Sequence, residues 1–226
     1  MATILSVIQR AAIPLGIGAP AAVFGASDDT AAELRRLVQE MAERITQEHD
    51  WQALKVRQQY TGDGVTEGFS LPTDYQRMPA DGEVWSSTFV NRLYHVTGSN
   101  DWLGLKVRQI QPVDRAWTIL GNKMEFYPAL KSGEIAQFYY VSSNVRAGFE
   151  TFMADTDQFI LDDRILELGM IWQGRAHKGL PYAEDMTNYG LALAKAISRD
   201  RGARILKQRS PWRETGTPAW PGVVVP

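Results

Sequence analysis

The side chains most able to do chemistry in this chain are few and scattered. Its three histidines, His49, His95 and His177, fall in three different expected elements, and none has a second histidine at metal-ligand spacing. Each therefore reads as a surface or locally hydrogen-bonded residue. Paired acids occur at Asp28/Asp29, Asp162/Asp163 and Glu184/Asp185. Two adjacent carboxylates could act as general acid and base, but all three pairs open an expected helix, where the macrodipole favours acids without any catalytic duty. The absence of cysteine rules out disulfides, thiolate metal sites and cysteine nucleophiles. "LGIGAP" and "TGDGVTEG" carry glycines, yet neither lies between a strand and a helix at phosphate-loop spacing, so both read as turns. No Gly-x-Ser-x-Gly elbow is present. The expectation is a protein that is not an enzyme and holds no cofactor or metal.

Bulk properties point the same way. A chain of 226 residues can bury roughly 70–75 % of its unfolded surface and needs no staples. Hydrophobic residues at 44 % and charged residues at 22 % match a soluble folded domain. With 24 Lys and Arg against 26 Asp and Glu, the net charge of −2 provides no broad basic field for tight phosphate-backbone binding. The opening "MATILSVIQRAAIPLGIGAPAAVFGAS" is apolar but lacks a basic leader, and Gln9, Arg10 and Pro14 interrupt it, so it reads as a short helix and a turn. Nothing approaches the roughly 18 apolar residues of a membrane span.

The elements follow from periodicity. Ser27 or Asp28 caps a helix with Ala31, Leu34, Val38, Met41 and Ile45 on one face. After "QEHDW" the period shortens to two, and "LKVRQQY", "GEVWSSTF", "RLYHVTG", "LGLKVRQI", "RAWTILGNKMEFYP" and "KSGEIAQFYYVSS" read as strands of a β meander, with turns at Gly121-Asn122 and Ser132-Gly133. Beyond Asn144 the helical period returns through Ile160, Ile165, Leu168, Ile171 and Trp172. It then runs through Tyr182, Met186, Tyr189, Leu193, Ile197 and Ile205, with Gly179 and Pro181 as the joint of an antiparallel pair. The expected fold is α+β: a helical bundle from both ends of the chain (1–50 and 146–209), an inserted antiparallel β subdomain (51–145) and an extended C-terminal tail (210–226).

Two features resist a purely architectural reading. Arg199, Arg201, Arg204, Lys207 and Arg209 cluster at the end of the last helix, with Asp200 the sole acid. Either they complement the helix dipole or they form a docking surface for an acidic partner or DNA. Trp212, Trp220 and Val223, Val224 and Val225 are apolar residues in a Pro-rich segment unable to build its own core: either the segment folds back onto its own domain, or they are interface anchors, as in a strand added to a neighbour's sheet.

The order of these signals resembles the head-to-tail adaptors of tailed bacteriophages, the group that includes the tail tubular protein A of short-tailed phages and the portal-bound head-completion proteins. The resemblance covers most of the chain and rests on "TILSVIQRAAIPLGIGAP", the helix ending in "HDW", "FSLPTDYQRM", and "DDRILELGMIWQGRAHKGLPYAEDMTNYGLALAKAISRDRG". It implies a virion protein that forms a ring of about a dozen copies beneath the portal protein. It also implies a tail or nozzle protein as second partner and a channel for passing genomic DNA. Arg199, Arg201, Arg204, Lys207, Arg209, Trp212, Trp220 and Val223 to Val225 would then dock on the portal or a neighbouring copy. The competing expectations are a hydrolase with a spatially assembled carboxylate site, and a monomeric carbohydrate- or peptide-binding module using Trp85, Tyr94, Trp102, Trp117 and Tyr139.

Overall fold

The structure, a computed structural model, describes residues 2–89 and 91–200. Helix α1 (Ile4–Ala12) starts where the Thr3 hydroxyl accepts from the Ser6 amide, and it buries Ile4, Val7, Ile8, Ala11 and Ala12. Helix α2 (Asp29–Glu48) is capped by Asp28, whose carboxylate accepts from the Ala31 amide at 3.1 Å, and buries the expected stripe. Helix α4 (Asp163–His177) is capped by Asp162, and Gly179 follows it at φ 66°, a left-handed position suited to glycine. Helix α5 (Ala183–Asp200) returns antiparallel: Arg175 pairs with Asp185, while Trp172 meets both Tyr182 and Tyr189.

These four helices enclose one core, which also takes in Trp51, Leu54, Val141, Phe152 and Phe159. Helix approach is close where side chains vanish. A Cβ added at Gly174 would lie 2.8 Å from Leu15. The segment between Asn144 and Asp162 is irregular rather than helical, although Phe152 and Phe159 from it are buried. Asp157 accepts from the Met153 and Ala154 amides within it, local bonding that competes with helix formation, and Asp155 ties it to the Val23 and Phe24 amides.

The intervening residues form two four-stranded sheets. In the first, β8 (Ile135–Ser142) is central. It pairs with β1 (Lys55–Thr61) along one edge and with β3 (Tyr75–Arg77) and β4 (Trp85–Ser86) along the other. The second runs β2 (Gly68–Ser70), β7 (Lys123–Tyr127), β6 (Ala116–Leu120) and β5 (Tyr94–His95). A second core lies on these strands, including Tyr60, Trp117, Phe126 and Phe138.

Two expectations are corrected. The strands do not form a meander: among those described, only β6 and β7, joined by the expected Gly121-Asn122 turn, are consecutive antiparallel neighbours, and β1 pairs with the distant β8. "LGLKVRQI" is largely helical, within α3 (Ser99–Val107). Its alternating Leu103, Leu105 and Val107 mimic a strand, but β5 and β6 are parallel and such a pair requires a crossover. Tertiary contacts then select the helix: the buried Trp102 indole donates to Glu125, and Lys106, one turn on, reaches Glu125 and Glu67, each at 3.0 Å.

Candidate functional site

Of the residues expected to dock on a partner, the structure describes one. Arg199 sits exposed in the last turn of α5, where a cation complements the helix dipole. Arg201, Arg204, Lys207, Arg209, Trp212, Trp220, Val223, Val224 and Val225 lie outside the described residues.

The place from which that segment leaves is well defined. Asp200 is an acid at a helix C-terminus, where the dipole disfavours it, and its carboxylate is held by groups from elsewhere. The Gln52 amide donates to it at 3.0 Å, and His49 Nε2 lies 3.4 Å away, in ion-pair range without a formed hydrogen bond. The end of α5 is thereby tied to the turn Gln52–Leu54 that leads into β1. The same corner joins the helices to the first sheet. Arg77 of β3 donates from Nε to Asp50 and from Nη2 to the His49 carbonyl, the Ala80 amide donates to Asp50, and the Trp51 indole donates to Ile45 O. Burial pushes the Asp50 carboxyl up, but the Ala80 amide and Arg77 outweigh it and leave the group below its ordinary pKa.

"FSLPTD" has a structural task too. Asp74 accepts from the Tyr140 hydroxyl, the Ser142 hydroxyl and the Asn144 amide, locking the chain before β3 onto β8.

The outward face of the first sheet carries the principal exposed aromatics of this region. Tyr139 of β8 is 54 % exposed and stands opposite Arg57 of β1; Trp85 of β4, 47 % exposed, stands opposite Gln137. With Lys55, Asp81 and Glu83 they bound an open hollow of about 620 Å³. Its walls therefore offer two aromatic rings, cations on one side and carboxylates on the other, which suits an amphipathic polypeptide surface. Trp85 and Tyr139 were legible as aromatics, whereas Asp81 and Glu83 gave no signal, since they join the face only through the loop before β4.

The other aromatics are divided. Tyr94 is exposed on the second sheet, while Trp102 and Trp117 are core residues at 2 % and 1 % exposure, so no five-residue stacking platform exists. His95 stacks on Trp117 with centroids 4.0 Å apart, and burial depresses its pKa. His177 ends α4 in an exposed position. Asp28 and Asp162 act as caps, and Glu184 and Asp185 occupy the first turn of α5. Among the described residues, no group of His, Asp and Glu is placed to hold a metal ion, and no helix is long and apolar enough to cross a membrane.

A family model described as SU10 adaptor protein matches residues 2–220. No curated protein matches the chain.

Proposed function

Because the chain belongs to the SU10 adaptor protein family of phage head-to-tail adaptors, we propose that it is a structural component of the virion. It forms a ring of about a dozen copies between portal and tail. The match from residue 2 to residue 220 carries this reading, since it embraces both terminal helical regions and everything between them.

In this assignment the helical part (1–50 and 146–209) faces the portal protein, the β part (51–145) faces a tail or nozzle protein, and residues 210–226 dock on the portal or a neighbouring copy. The basic run that begins at Arg199 and continues through Arg201, Arg204, Lys207 and Arg209 supports that docking, with Trp212 and Trp220 as anchors. The near-zero net charge suits a channel that DNA must traverse without being held. The Trp85 and Tyr139 face favours the β part as the surface presented to the tail, because exposed rings flanked by opposite charges are interface chemistry rather than core chemistry.

Native mass spectrometry of the protein mixed with its portal ring tests the proposal. A closed ring with about one copy per portal subunit is expected, as symmetry matching requires. A chain truncated after Lys207 should keep its thermal transition and lose assembly. No binding at micromolar concentration would overturn the adaptor role. The same Trp85 and Tyr139 face would then favour the second reading, a monomeric carbohydrate- or peptide-binding module.

A further inference from the structure

We propose that the outer edge of β1 accepts, as an added strand, residues 220–226 of a second copy of this chain. The inference rests on the adaptor reading, which places copies side by side, and names the partner that the terminal residues would find there.

The argument begins with the edge. β1 pairs along its whole length with β8, from Lys55 opposite Val141 to Thr61 opposite Ile135, and with no other strand among those described. In an antiparallel pair every second residue turns its N–H and C=O away from its partner. Apart from the Lys55 amide, which donates to the Gln52 carbonyl at the end of the preceding turn, no backbone group of Lys55–Thr61 has a further hydrogen bond among the described residues. A regular seven-residue edge is a ready template for another strand.

The second observation is apolar. Val56 stands opposite Tyr140, whose side chain is 3 % exposed and part of the β core, so Val56 is on the core side of the sheet. It is nevertheless 38 % exposed, because nothing described lies beyond the edge. A strand laid along β1 would place one of its own side chains beside Val56 and complete that side of the layer.

The occupant follows from the sequence. Val223, Val224 and Val225 form a β-branched run in a segment otherwise shaped by proline, and side chains of that type pack best on a pleated sheet surface. Pro221 and Pro226 bound the run and lack an N–H, so the added strand is short and stops at both ends. Backbone pairing would supply affinity, while Val56 and its neighbours would set the register.

A second copy is favoured by reach. Asp200 is bonded to the Gln52 amide, three residues before β1, so a few residues would suffice to reach the edge within one chain. The span from Asp200 to Trp220 instead includes Pro211 and Pro218 and would cover ~50 Å, with 201–209 at the helical rise of about 1.5 Å per residue and 210–220 extended at about 3.1 Å per residue. That length fits a bridge to an adjacent subunit better than a return to the same one.

Because the chain has no cysteine, a pair of introduced thiols reports directly. The experiment uses the full chain carrying Val56→Cys and Val224→Cys, with Val65→Cys and Val224→Cys as control, since Val65 is 81 % exposed but lies off the edge. Reduced protein is first checked for ring formation on the portal by native mass spectrometry, then oxidised in air and run on non-reducing gels. Expected is a ladder of covalently linked copies at least tenfold more intense for the Val56 pair than for the control. A ring that assembles without this ladder overturns the inference and leaves the adaptor role standing. A disulfide formed within single chains overturns the assignment to a second copy. Failure of the unsubstituted chain to assemble on the portal removes the adaptor role and the inference with it.

Discussion

Glu134→Ala should be among the most damaging single substitutions in the β part. Glu134 and Arg115 form an ion pair at 3.2 Å with side chains only 1 % and 5 % exposed. The carboxylate also accepts from the Ser86 hydroxyl and from the Lys131 amide, and the guanidinium donates to the Ala129 carbonyl. This cluster ties the start of β6, the turn before β8, and β4 together. Removing Glu134 leaves a guanidinium buried with a single carbonyl partner, and Arg115 Nε already has none. Breaking such a buried pair costs ~3–5 kcal/mol. At about 2–4 °C per kcal/mol for a chain of this size, the melting temperature should fall by ~6–20 °C. Arg115→Met with Glu134→Gln removes both charges while keeping an acceptor for Ser86, and should recover to within about 1 kcal/mol of the parent. Calorimetric melts of the parent, of Glu134→Ala, of Arg115→Met and of the double variant at neutral pH decide the matter. A loss below about 1 kcal/mol for Glu134→Ala, or a double variant no better than the worse single one, would refute the claim that the pair is buried and mutually dependent.

Asp50→Asn should lower stability at neutral pH by ~1.5–3 kcal/mol, because it weakens charged hydrogen bonds from Arg77 and the Ala80 amide. The Asp50 pKa is lowered in the folded state, so its contribution is present above the unfolded value near 3.9 and is lost as pH falls through the folded one. Urea titrations across the acid range should show a shallower decline in the variant. Gly174→Ala should destabilise the helical core by about 1 kcal/mol, since overpacking against Leu15 exceeds the gain in helix propensity; equilibrium unfolding reads this directly. Joint replacement of Trp85 and Tyr139 by alanine should leave the melting temperature within a few degrees and weaken binding of the tail-side partner tenfold or more, measured by calorimetric titration.

The helices were legible because their signal is local. Asp28 caps where a cap was expected, the acid pair at Asp162 and Asp163 marks the start of a helix as expected, and the Ala31 to Ile45 stripe is buried. The hairpin at Gly121-Asn122 was equally readable, its turn chemistry lying within the turn. Strand order was not, because nothing in "LKVRQQY" specifies β8, some eighty residues on, as its partner. α3 escaped detection for a related reason: its helical state depends on Glu67 and Glu125, which belong to other segments. The exposed face has the same dependence. Tyr139 and Trp85 are separated in sequence by β5, α3, β6 and β7 and meet only because β4 pairs with β8.

The corner at His49, Asp50 and Trp51 shows why a motif without catalytic content can still matter to function. Trp51 closes α2 from below, Asp50 fixes β3 through Arg77, and His49 with Gln52 receives Asp200 from the far end of α5. Three segments from distant parts of the chain therefore share one anchor, so the end of α5 is held by the same residues that orient the first sheet. On the proposed reading, in which the C-terminal segment docks on one assembly and the β part on another, this coupling fixes where the segment departs relative to the surface presented to the other partner. Asp200→Ala would release that constraint while removing little buried area. It should therefore reduce ring formation on the portal more than it reduces thermal stability, and equal losses in both would argue that the corner serves folding alone.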